Sequence, residues 1–221
     1  AKDSALARSA QRLSLVTSEL QEQVMKTRMQ PVDAVWSKMP RVVRDLAKQC
    51  GRKVRLEMEG RETELDRSVL EAIKDPLTHL VRNAVDHGIE TPEQRVAAGK
   101  PPTGVLTLSA SHKGGSIIVE LSDDGAGLDR DRILKKAMEK GLVENPQAMT
   151  DGEVFQLIFA PGFSTAAVVT EVSGRGVGMD VVSSEIRQMG GSLDIHSEPG
   201  QGTRFVVRLP FTVSVSRALL V

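Results

Sequence analysis

His79, Asn83 and His87 stand four residues apart in a run whose intervening positions, Leu80, Val81, Ala84 and Val85, are apolar. On a helix that spacing stacks imidazole, carboxamide and imidazole along one side and turns the apolar residues to the other. The helix must therefore lie on a core, with its polar edge facing either water or a ligand. Two readings stand open. The column is a solvated edge with two incidental histidines, or it holds a divalent ion or a nucleotide phosphate. Patterns at i, i+4 recur by chance, so the run alone does not decide.

Three later segments bear on the choice. Asp123-Asp124-Gly125-Ala126-Gly127 follows the strand-like run Ile117–Leu121. A carboxylate leaving a strand, followed by glycines, sets a fixed acceptor beside backbone that a planar ligand can approach. Gly174-Arg175-Gly176-Val177-Gly178 opens the apolar-periodic segment Met179-Asp180-Val181-Val182. Glycines before a helix present N–H groups to an anion at the positive end of the dipole. Gly200-Gln201-Gly202-Thr203 precedes the alternating run Arg204–Leu209. Each segment alone reads as a turn.

In this order the four segments resemble the N, G1, G2 and G3 boxes of the Bergerat-type ATP-binding fold of histidine kinases, HSP90 and type II topoisomerases. Finer runs, Asn83–Glu90, Pro161–Thr165 and Ser173–Val182, are similar to the chemotaxis histidine kinase (CheA) family. The resemblance extends from about Leu13 to Thr212.

Bulk properties narrow the function independently. The 221 residues carry 29 Lys+Arg against 29 Asp+Glu, a formal net charge of zero, so a nucleic-acid binder needing a basic excess is disfavoured. Tyr is absent, with one Trp and five Phe, which leaves little for base stacking. A single cysteine, Cys50, rules out an internal disulfide and suits the cytoplasm. No apolar run approaches the roughly 20 residues of a membrane span, and no signal-peptide pattern opens the sequence.

Periodicity predicts an α+β chain. Residues 1–34 form a helical segment with Leu13, Val16, Leu20 and Val24 in a stripe. Residues 35–212 form one domain, an α/β sandwich of a mixed sheet with helices on one face. Within it, helices are expected over Arg41–Gln49, about Pro76–His87, Asp131–Lys140, Asp151–Phe159 and Met179–Met189. Strands are expected at Val54–Glu59, Val105–Ser111, Ser116–Leu121, Leu193–His196 and Arg204–Pro210. Residues 213–221 read as the start of a following β domain. Gly141 to about Arg175 is punctuated by Gly and Pro and reads as a lid over nucleotide, with Phe159 and Phe163 as apolar latches; ordinary core is the other reading.

The resemblance assigns roles. Asp123 takes the adenine amine, with Gly125 and Gly127 leaving room for the base and Asp124 serving as a turn carboxylate. Asn83 binds Mg²⁺ through its oxygen, and His79 faces the γ-phosphate as base or orienter. His87 helps place metal or phosphate, with a purely structural role as its rival. Arg132, Lys136 and, less directly, Arg82 contact phosphates. Gly174, Gly176 and Gly178 cradle them, and Thr203 closes the G3 box. The cofactors implied are ATP and Mg²⁺.

The reaction implied is transfer of the γ-phosphoryl group to a histidine on a separate phosphotransfer domain, since His112 and His196 both fall in predicted strands. Implied partners are that domain, response regulators, and receptor and coupling proteins reached through a further C-terminal domain. No nucleic-acid partner or direct membrane insertion is expected. The intact protein is expected to be a homodimer, although residues 1–34 resemble only the end of the dimerisation hairpin, as in an excised fragment. The alternatives are an ATPase of the wider superfamily, whose members typically carry Glu where His79 stands, or a nucleotide-binding scaffold.

Overall fold

Alternating burial organises the sheet that carries the candidate site. The computed structural model describes residues 2–143, 149–163 and 178–211, with side chains from residue 6. Five strands lie in the order β2-β4-β5-β7-β6, namely β2 (Val54–Glu59), β4 (Gly104–Lys113), β5 (Ser116–Asp123), β7 (Gly202–Pro210) and β6 (Ser192–Glu198). The β2–β4 pair is parallel and the others are antiparallel. Leu106, Leu108, Ile117, Val119, Leu121, Ile195, Phe205, Val207 and Leu209 are buried on one face. Arg55, Glu57, Asp194, His196, Arg204 and Arg208 are exposed on the other. This period-two alternation leaves one face to helices.

Those helices are α3 (Met39–Gln49), α4 (Arg67–Asn83), α6 (Arg130–Glu139), α7 (Asp151–Gln156) and α8 (Met179–Gln188). From α4, Leu70, Ile73, Leu77, Leu80 and Val81 enter the core, joined by Val182 and Ile186 of α8. The mixed sandwich expected from sequence is therefore the fold. His112 and His196 lie on β4 and β6.

Several boundaries differ from expectation. Helix α4 begins at Arg67 rather than near Pro76, because the Asp66 carboxylate accepts the Ser68 N–H as an N-cap. Pro76 is accommodated inside the helix, buried. The helix also does not carry α-geometry to His87. Ala84–Gly88 is a π turn, closed by the Ile89 N–H donating to the Ala84 carbonyl at 2.8 Å. That extra residue per turn breaks the i, i+4 column beyond Asn83.

A small antiparallel pair escaped the sequence reading: β1 (Met29–Pro31) and β3 (Glu64–Asp66). So did the short helices α2 (Asp33–Trp36) and α5 (Pro92–Ala97). Helix α1 (Lys2–Arg28) leads into β1, and every position from Leu6 to Val24 is exposed. The described middle of the expected lid is core instead. Helix α7 and a 3₁₀ turn at Leu157–Phe159 pack with α6, burying both Phe159 and Phe163. The other lid positions, 144–148 and 164–177, fall outside the described residues.

Candidate nucleotide site

Asp123 is the last residue of β5, in register with Leu106 of β4 and Thr203 of β7. It shares the helix-covered face and is 6% exposed. Its Oδ1 accepts the Gly125 N–H at 2.9 Å. Burial pushes its pKa up to about 6, against N–H groups of Gly125 and Thr203 that pull it down; Asp124 and Glu90 add to the rise. Among the described residues no cation pairs with it. A buried carboxylate whose ionised form carries such a cost in the free protein is a functional-site signature.

Three chain segments meet around it. The Ala126 N–H donates to the Gly88 carbonyl at 2.9 Å, and the Gly200 N–H donates to the Ala126 carbonyl at 2.7 Å. The glycines are needed for this contact. A Cβ on Gly125 would lie 2.0 Å from the Gly88 oxygen, and one on Gly202, where φ is +112°, would lie 1.8 Å from the Asp123 oxygen. Gly127 likewise backs onto the Glu198 carbonyl, at 2.3 Å from a hypothetical Cβ. Besides any room they leave for a base, Gly125 and Gly127 are both required by the close approach of neighbouring backbone. Thr203 is buried, its hydroxyl 3.1 Å from Ser197 Oγ, which also accepts the Leu128 N–H at 2.8 Å.

Asn83 ends α4 half-buried, and its Nδ2 donates to Met179 Sδ at 2.9 Å. Met179 is the first residue of α8, with Gly178 as its N-cap. Two expected site elements, Asn83 and the N-terminus at Gly178, are thus joined across 96 positions. The amide's oxygen is left as its acceptor. His79, one turn earlier, is half-buried. Burial first, then the charges of Arg82 and His87, hold its pKa below the usual imidazole value.

Other expected positions are more peripheral. His87, within the π turn, is 74% exposed, with Nε2 3.5 Å from Asp86 Oδ2. Arg82 and Arg132 are exposed. Lys136 places Nζ 5.1 Å from the centre of the Phe163 ring, a cation–π contact. Gly174 and Gly176 lie outside the described residues. Among the described residues no group of three or more His, Cys, Asp or Glu side chains could cage a metal. A magnesium ion that takes one amide oxygen and completes its shell with phosphate and water fits this donor set.

A charged cluster beside the site went unnoticed in the sequence. Arg95, 1% exposed, donates to Glu90 Oε2 (3.0 Å), Asp124 Oδ2 (2.9 Å), the Asp124 carbonyl (3.1 Å) and the Pro101 carbonyl (2.7 Å). Lys100 Nζ donates to Glu90 Oε1 (2.8 Å) and to the carbonyls of Asp124 (3.0 Å) and Gly125 (2.7 Å). Asp124 Oδ1 accepts the Val105 N–H at 2.9 Å, consistent with a turn carboxylate. The available signal was the capping box Thr91-Pro92-Glu93-Gln94, which fixes where α5 starts and hence where Arg95 points.

Residues 72–213 match the family described as histidine kinase-, DNA gyrase B-, and HSP90-like ATPase. The chain is 57% identical over 197 residues to the chemotaxis protein CheA of Salmonella typhimurium, covering 89% of this chain and 29% of that protein. It is 50% identical over 213 residues to the chemotaxis protein CheA of Treponema pallidum, covering 96% and 26%. Against the sensor histidine kinase CheAY of Helicobacter pylori it is 52% identical over 211 residues, covering 95% and 26%. The chain thus spans under a third of the length of each of these relatives. No helix among the described residues is long and apolar enough to cross a membrane.

Proposed function

The chain belongs to the histidine kinase-, DNA gyrase B-, and HSP90-like ATPase family, with a CheA-type ATPase domain, and from that membership we propose that it transfers the γ-phosphoryl group of ATP to a histidine on a separate phosphotransfer domain. The observation that carries the reading is the buried Asp123 carboxylate, with no cation beside it among the described residues, at the junction of three glycine segments. A carboxylate accepts a hydrogen bond from the adenine amine, whereas guanine presents a carbonyl at that position. Asn83 lends its oxygen to Mg²⁺, which when bound neutralises charge on the β- and γ-phosphates.

The remaining groups position and exchange protons. Gly174, Gly176 and Gly178 wrap the phosphates before α8, whose N–H groups favour an anion. Arg132, Lys136, Arg82 and His87 add cationic contacts at the rim, and Thr203 closes the base side. His79, held neutral, orients the incoming imidazole and accepts its N–H proton. The imidazole nitrogen bonds to the γ-phosphorus as the bond to the ADP oxygen breaks, and catalysis is mostly positioning.

In this proposal α1, which ends at Arg28 rather than near residue 34, is the end of a dimerisation helix in a homodimer, the residues from β1 to 212 form the catalytic domain, and a β domain expected from residue 213 onward lies outside the described residues. Response regulators receive the phosphoryl group downstream, and receptor and coupling proteins act through that β domain, in the cytoplasm.

Calorimetric titration with ATP and GTP in the presence of Mg²⁺ tests the site. ATP should bind much more tightly than GTP, the ATP binding should vanish in Asp123→Asn, and Asn83→Ala should bind ATP without regard to Mg²⁺. Phosphotransfer from ATP to an added histidine phosphotransfer domain tests the reaction. Binding of GTP as tightly as ATP, or steady ATP hydrolysis with no transfer, overturns the reading.

A further inference from the structure

We propose that Arg95 and Lys100 are positioning residues for the base-binding end of the nucleotide site, clamping the Asp124–Gly125 backbone against the Gly88–Glu90 segment. The inference rests on the nucleotide reading above. Its basis is geometric. Neither cation bonds the Asp123 side chain; both donate to main-chain oxygens of the turn that carries it. Arg95 and Lys100 share the Asp124 carbonyl, and Lys100 adds the Gly125 carbonyl. Glu90, two residues past Gly88, binds both cations through its two oxygens. The two walls that meet at Asp123 are therefore tied together by one four-charge cluster.

The chemistry suits a clamp. Glu90 and Asp124 offset Arg95 and Lys100, so the cluster is formally neutral as a unit. Arginine's planar fork serves four acceptors at once from a buried position, which lysine cannot reproduce. Such a cluster is no bargain for stability, because burying charges offsets much of their attraction. What it provides is a fixed geometry for the Asp123–Gly125 turn, where the Gly125 backbone already approaches the Gly88 oxygen without room for a methyl group.

The test compares Arg95→Met, Arg95→Lys and Lys100→Met with the unaltered chain, measuring dissociation constants for ATP, ADP and GTP alongside circular dichroism and thermal unfolding. A lesion confined to the base end weakens ATP and ADP by the same factor, about tenfold or more, and narrows the ATP-to-GTP preference. Arg95→Lys recovers only part of the loss. A lesion that acted on the phosphates would separate ATP from ADP. Lys100 is on the rim of the cluster at 19% exposure, so its variant stays informative if Arg95→Met unfolds. Folded variants with unchanged ATP and ADP affinities and an unchanged ATP-to-GTP ratio overturn the clamp. Failure of the unaltered chain to bind ATP would instead overturn the nucleotide reading itself.

Discussion

Asp123 combines two demands that oppose each other. Burial makes its ionised form costly, which raises its pKa to about 6, while the adenine recognition proposed for it calls for the ionised form. A carboxyl with a raised folded pKa contributes stability that is present below its unfolded value and lost as pH rises through about 6. At neutral pH the charge therefore costs the free protein on the order of 3 kcal/mol. Asp123→Asn should raise the melting temperature of the free chain at pH 7.5, with the gain shrinking towards pH 4, while ATP binding is lost. An unchanged melting temperature at pH 7.5 would show that the carboxylate is better solvated than its burial indicates. In the unaltered chain ATP affinity should weaken as pH drops through about 6. Gly125→Ala belongs to the same scale. Its methyl would meet the Gly88 oxygen at 2.0 Å, so about 1–3 kcal/mol of destabilisation is expected by chemical denaturation.

At the scale of elements, the joint between α4 and α8 sets the metal end of the proposed site. Asn83 and Met179 were each legible as motif residues, but their hydrogen bond depends on how two helices dock. Met179→Leu keeps the volume and removes the acceptor, so stability should change by less than about 1.5 kcal/mol. The freed carboxamide should then lose its orientation, and the gain in ATP affinity on adding Mg²⁺ should diminish. Equal Mg²⁺ dependence in the two proteins would count against the joint. At the other end of α4, Asp66→Ala removes the cap that receives Ser68 and pairs with Arg28; the cost should be about 1–2 kcal/mol in urea unfolding. The start of α4 was misread because Pro76 looked like a first-turn residue, whereas the Asp66-x-Ser68 cap lies ten positions earlier. The π turn was invisible for a related reason. Residues 79–87 fit an α-helical period, and only the long-range fit of Gly88 against Asp123 and Ala126 calls for the extra residue.

The whole molecule divides into a packed sandwich and an exposed helix. From Leu6 to Val24, α1 contributes nothing to the core, and its apolar residues Leu6, Leu13, Leu20 and Val24 face solvent. Deleting residues 1–27 should therefore leave the melting temperature within a few degrees and ATP affinity unchanged, as calorimetry and titration would show. A collapse of either would mean that the helix supports the domain through contacts other than the Arg28–Asp66 pair. The sandwich itself was largely legible. Strands β2, β4 and β6 show period-two alternation, β5 reads as a short apolar run, and β7 alternates except at Val206; the Gly114-Gly115 turn between β4 and β5 marks the hairpin.

Local chemistry determined which segments become helix or strand, because side-chain period, caps and glycine turns act within a few residues of one another. It also picked out Asp123, Asn83 and the glycines, since a close backbone approach admits nothing larger. Which groups meet was left to the tertiary structure. The burial of Asp123 comes from its neighbours on β4 and β7, the orientation of Asn83 from the first residue of α8, and the Arg95 cluster from a helix too short to show a period. In each case the energy lies in contacts between residues distant in sequence, where no local pattern records it.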